Sequence, residues 1–278
     1  MGWRFAFNRR WFGYLAAAIG FAVACVLLSQ WQFARAENAS LANERVTANY
    51  DADPVPLAQA VPDLDSFDKS DEWQRVEVSG RYLEDERLLV RNRPYNGAAG
   101  FEVLVPFLTE DGTVFVVDRG WLPGGQKDLP DVIPAAPTGE VTIVAHLKAG
   151  EPELPGRSAP AGQLATIQLD AVADLMDEPT YIGAYGHIVS ESPSVAEMPE
   201  PALKPSENEG MHLSYALQWI VFAFFGFGGL AWALRQEYRL VNADDPKERE
   251  RAAIRREKAA RRPTDADIED ELLDSARR

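Results

Sequence analysis

Two transmembrane helices flanking an extracytoplasmic antiparallel β-sheet or barrel-like domain, a membrane α+β architecture, is the fold class this sequence predicts. Three observations lead there. No charged residue lies between Arg10 and Arg35 or between Glu209 and Arg235, and each gap exceeds the roughly 20 residues a helix needs to cross the hydrocarbon. Basic residues crowd the outer flank of each gap. Between the gaps, short β-branched runs are separated by turn residues without helical crossovers, the pattern of antiparallel sheets and barrels.

The elements follow in chain order. Residues 1–10 are a cytoplasmic N-terminus with Arg4, Arg9 and Arg10, and residues 11–34 are the first span. A cleaved signal peptide is the rival reading, because Ala34, Arg35 and Ala36 form an A-x-A pattern. The apolar run is too long for one, and Gln30, Trp31 and Gln32 interrupt its approach to the small residues, so an anchor is expected. Residues 35–209 form the extracytoplasmic domain with its tethers, residues 210–234 the second span, and residues 235–278 a charged cytoplasmic tail.

Orientation rests on the basic flanks, since Lys and Arg next to a span resist translocation. Arg9 and Arg10 precede the first span; Arg235, Arg239, Arg249 and Arg251 follow the second, which places both termini in the cytoplasm of a cell (plasma) membrane. Residues 35–209 hold 13 Lys and Arg against 31 Asp and Glu, a net charge of −18, as befits a translocated segment. Trp3, Trp11, Trp31, Trp219 and Trp232 fall near span ends, where an aromatic belt sits.

Within the domain, helix is expected to continue past Ala36 and give way to an extended tether near Pro54, Pro56 and Pro62. Strands are predicted at Trp73 to Tyr82, Arg87 to Arg91, Phe101 to Leu108, Thr113 to Val117 after the Asp111-Gly112 turn, Glu140 to Leu147, Leu164 to Leu169 and Tyr181 to Val189. Asp170 to Met176 predicts a short helix, and Pro193 to Asn208 a second tether. In the tail, Pro246 and Pro263 are expected to break a helix-like Lys/Arg/Glu stretch that ends in the acidic run Asp265 to Asp274. From Arg235 onward 12 basic and 12 acidic residues cancel, so a solvated amphipathic tail is expected, and no nucleic-acid partner.

Composition removes several chemistries. The one cysteine, Cys25, lies in an apolar run, which leaves no disulfide and no thiolate pair for a metal. The three histidines, His146, His187 and His212, lack the i, i+4 spacing of a helical zinc pair. No G-x-S-x-G occurs and no carboxylate pair stands out by spacing, so a hydrolase has no visible support.

Four stretches remain: Trp31-Gln32-x-x-Arg35 leaving the first span; Gly80-Arg81-Tyr82; Val117-Asp118-Arg119-Gly120-Trp121-Leu122-Pro123; and His212-Leu213-Ser214-Tyr215-Ala216-Leu217-Gln218-Trp219 entering the second. In this order and topology they resemble the Surfeit locus protein 1 family, in an actinobacterial-like bacterial form, over nearly the whole chain up to about Leu240. Ser29 departs from a glycine usual in the family, and Asp118 from an asparagine. The resemblance implies a non-enzymatic assembly factor for haem-copper (aa3-type) cytochrome c oxidase, which binds haem a and aids its insertion. The partners it implies are the oxidase catalytic subunit, haem a synthase and the lipid bilayer. A structural accessory subunit or scaffold of the oxidase that binds no haem is the alternative.

The residues agree with a haem reading. An outward first helix and an inward second one bring Trp31, Gln32 and Arg35 to the membrane depth of His212, Tyr215 and Trp219. His212, Tyr215, Ala216, Trp219, Ala223 and Gly226 share a helix face, an imidazole above an aromatic and small-residue groove. Neutral imidazole ligates haem iron, which makes His212 the candidate metal ligand, and Arg35 or Arg119 can pair with a propionate. Against this stand blander roles: His212 as an interfacial anchor, Arg119-Gly120-Trp121 as a strand-ending turn, and Gly226, Gly228 and Gly229 as helix-packing residues. His146 and His187 are expected to be ordinary sheet or surface residues.

Overall fold

The computed structural model describes residues 3–126, 129–206 and 210–260. They form two compact units, one built from the chain up to Glu37 and from Gly210 onward, the other from Asn38–Glu209. In chain order the elements are α1 (Arg9–Asn49), β1 (Val55–Pro56), α2 (Leu57–Ala60), β2 (Arg75–Tyr82), β3 (Leu88–Tyr95), β4 (Ala98–Thr109), β5 (Val114–Pro123), β6 (Val141–Ala149), β7 (Gln163–Leu164), α3 (Leu169–Ala173), β8 (Ala184–Ser192), α4 (His212–Val241) and α5 (Pro246–Ala260). The acidic run Asp265 to Asp274 and the last residues of the second tether lie outside the described residues.

In the first unit α1 and α4 are both long and apolar enough to cross a membrane. Their most apolar windows are only 11% and 0% buried, so they are not the core helices of a soluble fold, and their apolar surface lacks protein cover. Asn8 caps α1, its side chain accepting from the Trp11 amide at 3.0 Å. The two helices touch through small residues: the buried Ser29 hydroxyl donates to the Ala216 carbonyl at 2.9 Å, and Gly226 faces Phe21 so closely that a Cβ there would lie 3.1 Å from that ring. At the far end Arg10 pairs with Glu237, and Trp3 stacks on Tyr238 at 4.5 Å. Pro246 does not break a helix; it opens α5 behind Asp245, whose carboxylate accepts from the Lys247 amide at 2.9 Å.

In the second unit β2, β6, β8, β5 and β4 pair in succession, and β2 then pairs back onto β4, closing a five-stranded barrel. Gly80 makes the closure possible. It pairs with both Val141 and Thr109, and a Cβ there would stand 2.1 Å from the Leu108 carbonyl oxygen. β1 and β3 lie outside the ring, and β7 pairs with β3. The predicted antiparallel pairing holds for β2–β6, β2–β4, β3–β4, β4–β5 and β6–β8, but β1–β2, β3–β7 and β5–β8 are parallel, so the sheet is mixed. Of the strand expected over Leu164 to Leu169, only its first residue lies in β7; Ile167 and Leu169 instead sink into a second core with Val90, Leu104, Val116 and Val172. β5 is thereby buried on both faces, which is why its first half, Val114 to Val117, reads as an unbroken apolar run.

Hairpin chemistry matches the sequence. Gly112 takes φ +78 in the turn joining β4 to β5, and Asn96-Gly97, both at positive φ, join β3 to β4. The second tether is not free along its length. Trp121 and Glu200 exchange backbone hydrogen bonds of 2.7 and 2.9 Å, which fastens it to β5. Gly120 allows this approach: it lies at φ +127, and a Cβ there would meet the Glu200 carbonyl oxygen at 2.4 Å.

Candidate functional site

The four motif stretches gather in pairs, one pair in each unit. In the helix unit, His212 Nδ1 lies 3.0 Å from Gln32 Oε1. An amide oxygen only accepts, so His212 donates from Nδ1 and carries its lone pair on Nε2, the tautomer and ring orientation an axial ligand needs. On α1 the Arg35 guanidinium lies 5.2 Å from the Trp31 ring, and both side chains are exposed. On α4 Tyr215 is exposed, and Trp219 meets Phe222 edge-on at 5.7 Å. The groove expected over Ala216 and Gly226 is occupied by α1, through Ser29 and Phe21. Trp31, Arg35 and Tyr215 are exposed at this end of the helix unit, and Gly210 lies against the Cδ2–Nε2 edge of the His212 ring.

Arg119 does not belong to that set. It is fully buried in the barrel unit, where Nη2 donates to Glu191 Oε1 at 2.8 Å, Nη1 donates to the Pro134 carbonyl at 3.2 Å, and the guanidinium lies 5.4 Å from the Tyr82 ring. Tyr82 donates its hydroxyl to Glu191 Oε2 at 3.0 Å, and burial drives the phenol pKa far above its ordinary value. The propionate role expected of Arg119 is therefore corrected: Glu191 already neutralises the charge inside the core. Gly80-Arg81-Tyr82 and Arg119-Gly120-Trp121 thus converge on an interior ion pair and on two glycine-dependent approaches, one closing the barrel and one holding the tether.

Beside that pair opens a polar cleft that the sequence did not disclose. Two adjoining hollows of about 320 Å³ each meet at Trp73 and His187. Trp73 takes φ +71, a strained value for a bulky residue, and its ring stacks on His187 at 6.1 Å while Lys148 stands 4.1 Å from its face. His187 Nδ1 lies 2.9 Å from the buried Asp118 Oδ2, off the line of a formed hydrogen bond. Glu102, which pairs with Arg93 at 2.6 Å, is pushed up to about 7, first by burial and then by the neighbouring Asp118 charge. His146 sits opposite His187 across β6–β8, stacks on Tyr50 at 4.1 Å and donates to its carbonyl at 2.9 Å, and burial lowers its pKa. Both histidines are sheet residues, yet they line a cleft with a group able to exchange a proton near neutral pH. Among the described residues no three His, Cys, Asp or Glu side chains converge as metal ligands would. The signal available in the sequence was Asp118, inside a motif yet acidic in the middle of an apolar strand.

These features define a class: a small mixed β-barrel joined to a pair of apolar helices, with its signature residues at the barrel seam and at one end of the helix pair. The SURF1 family model matches residues 19–224, and the chain belongs to that family. It is 32% identical over 282 residues to an uncharacterized SURF1-like protein of Mycobacterium tuberculosis, covering 98% of this chain and 97% of that one. It is 22% identical over 236 residues to a SURF1-like protein of Dictyostelium discoideum, covering 69% and 85%. A stretch of 83 residues is 30% identical to the cytochrome oxidase assembly protein SHY1 of Saccharomyces cerevisiae, covering 28% of this chain and 20% of the yeast protein.

Proposed function

We propose that this protein is a membrane-anchored, non-enzymatic assembly factor for haem-copper cytochrome c oxidase, with α1 and α4 spanning the bilayer, both ends cytoplasmic and the barrel outside. Family membership and the yeast relative's role support the oxidase assignment. The charge-free stretches and their basic flanks support the topology.

Haem a is the cargo in this reading, with His212 as its axial ligand. The observation that carries the assignment is the His212–Gln32 hydrogen bond, which fixes the ring and leaves the lone pair on Nε2. Trp31 and Tyr215 supply aromatic surface beside it, and Arg35 is the cation for a propionate. The catalytic subunit of the oxidase would receive the haem and haem a synthase would supply it.

The test is the visible spectrum of the purified protein, co-produced with haem a synthesis enzymes. Wild type is expected to carry haem. His212→Ala should lose most of the absorbance while keeping its membrane level, and Gln32→Leu should weaken binding by roughly 10- to 100-fold, as expected when the group orienting a ligand is removed. Unaltered haem content in His212→Ala would exclude the ligand assignment and favour a scaffold that binds the oxidase without haem.

A further inference from the structure

At the end of the helix unit opposite His212, α4 and α5 enclose a hollow of about 460 Å³ lined by Trp3, Arg235, Tyr238, Arg239, Glu248, Arg251 and Arg255. Its charge is strongly one-sided. Arg235 and Arg239 are one turn apart on α4, and Arg251 and Arg255 are one turn apart on α5, so two i, i+4 pairs face one space. Among the described residues that line it, Glu248 is the one acid; it is buried and already holds Arg255 at 2.7 Å, with Arg251 3.7 Å away. Four guanidinium groups against one carboxylate leave an excess of three positive charges.

The surroundings narrow the ligand. Arg235 is the first charged residue after the charge-free stretch of α4, and the exposed Trp3, stacked on Tyr238, lies just before the charge-free stretch of α1. With both helices in a bilayer, this hollow sits where hydrocarbon meets water, the level of lipid phosphates. Trp232, 69% exposed and three residues before Arg235, offers an apolar surface on the hydrocarbon side. Planar guanidinium forks match phosphate oxygens in bidentate fashion, which a diffuse lysine patch would not do.

The geometry points to a binding site for the headgroup of an anionic phospholipid, held by Arg235 and Arg239 from one side and Arg251 and Arg255 from the other. The site rests on the membrane reading above. It also accounts for α5, because the capped turn at Asn242 to Asp245 folds this helix back so that its arginines share a phosphate with α4, fixing the membrane exit of the second span.

The test uses the full-length protein in nanodiscs of phosphatidylglycerol and phosphatidylcholine, with retained lipid counted by native mass spectrometry. Wild type is expected to keep phosphatidylglycerol selectively. Arg235→Gln/Arg239→Gln should weaken retention roughly thirtyfold, at about fivefold per arginine. Arg251→Gln/Arg255→Gln should do the same, and Arg249→Gln, whose residue pairs with Asp244 and does not line the hollow, should leave retention unchanged. The first double variant leaves the Glu248–Arg255 pair intact, so it reads the site even if the second fails to fold. Equal retention of both lipids, or unchanged retention in the α4 double variant, overturns the site. So does saturation by inorganic phosphate in place of lipid. Alkaline carbonate extraction separates the two levels: wild-type protein released from membranes sinks the membrane reading itself, whereas protein that pellets without lipid preference sinks only the headgroup site.

Discussion

Replacing Arg119 with methionine tests whether the arginine of the Arg119-Gly120-Trp121 motif serves the core. The side chains of Arg119 and Glu191 are both fully buried, and Arg119 supplies the only cation within ion-pair distance of Glu191 among the described residues. Arg119→Met leaves a buried carboxylate without its counterion, which costs about 3–5 kcal/mol. Removing both partners in Arg119→Met/Glu191→Met abolishes that stranded charge. What remains is the Tyr82 hydroxyl, which loses its acceptor at 3.0 Å at a cost of about 1–3 kcal/mol, and the part-buried Pro134 carbonyl, which loses its Arg119 donor. The double variant should therefore be more stable than the single one, and adding Tyr82→Phe should bring it nearer wild type. Pulse proteolysis of the full-length protein in detergent, over a urea series, reads the barrel directly. At a slope of about 2 kcal/mol/M, a 4 kcal/mol loss moves the midpoint by about 2 M. If Arg119→Met costs less than about 1 kcal/mol, or if the double variant is no more stable than the single, the buried-pair account fails.

Other outcomes follow from the same geometry. Glu102 titrates near 7 when folded and at about 4.5 when unfolded, so the native state holds the extra proton between those values, and its contribution to stability, up to about 3 kcal/mol, is present below pH 4.5 and lost as pH rises to 7. Glu102→Gln should flatten the urea midpoint across that window, and an unaltered slope would remove Glu102 as its source. Gly120→Ala forces a side chain into φ +127 and against the Glu200 carbonyl; a stability loss of about 1–3 kcal/mol and faster proteolysis near Glu200 are expected, read by limited trypsin or endoproteinase Glu-C digestion. For topology, a cysteine placed at Ser158 in a Cys25→Ser background should react with an impermeant maleimide in intact cells and one at Ser275 should not; equal labelling would refute the orientation.

The helices and most strands were legible because their signals are local: charge-free stretches, β-branched runs, and the Asp111-Gly112 turn. Register was not. The parallel β5–β8 pair joins segments separated by β6, β7 and α3, and nothing in the alternation of either strand names its neighbour. Arg119 was misread for the same reason, since its counterion stands 72 residues away in a strand whose sequence looks merely polar. The meeting of Gln32 with His212 was easier to read, because each lies at the same end of one of two long apolar helices that pack side by side. The cleft at His187 stayed hidden because it is assembled by a bulge in β4–β5, a strained Trp73 and a histidine pair across β6–β8, all products of tertiary pairing.

Closure of the barrel at Gly80 also decides how other proteins can grip this domain. The ring strands pair on both sides, and β1 and β7, which cover the remaining flanks, are two residues long. Beyond Val90 the open side of β3 carries Arg91, Arg93 and Pro94 with an irregularity at Asn92, features that repel an added strand. Among the described residues a partner therefore finds no long, regular backbone ladder to extend. Recognition of the barrel must run through side chains, so a binding surface on it is expected to map by point substitution and to tolerate no generic extended peptide as competitor.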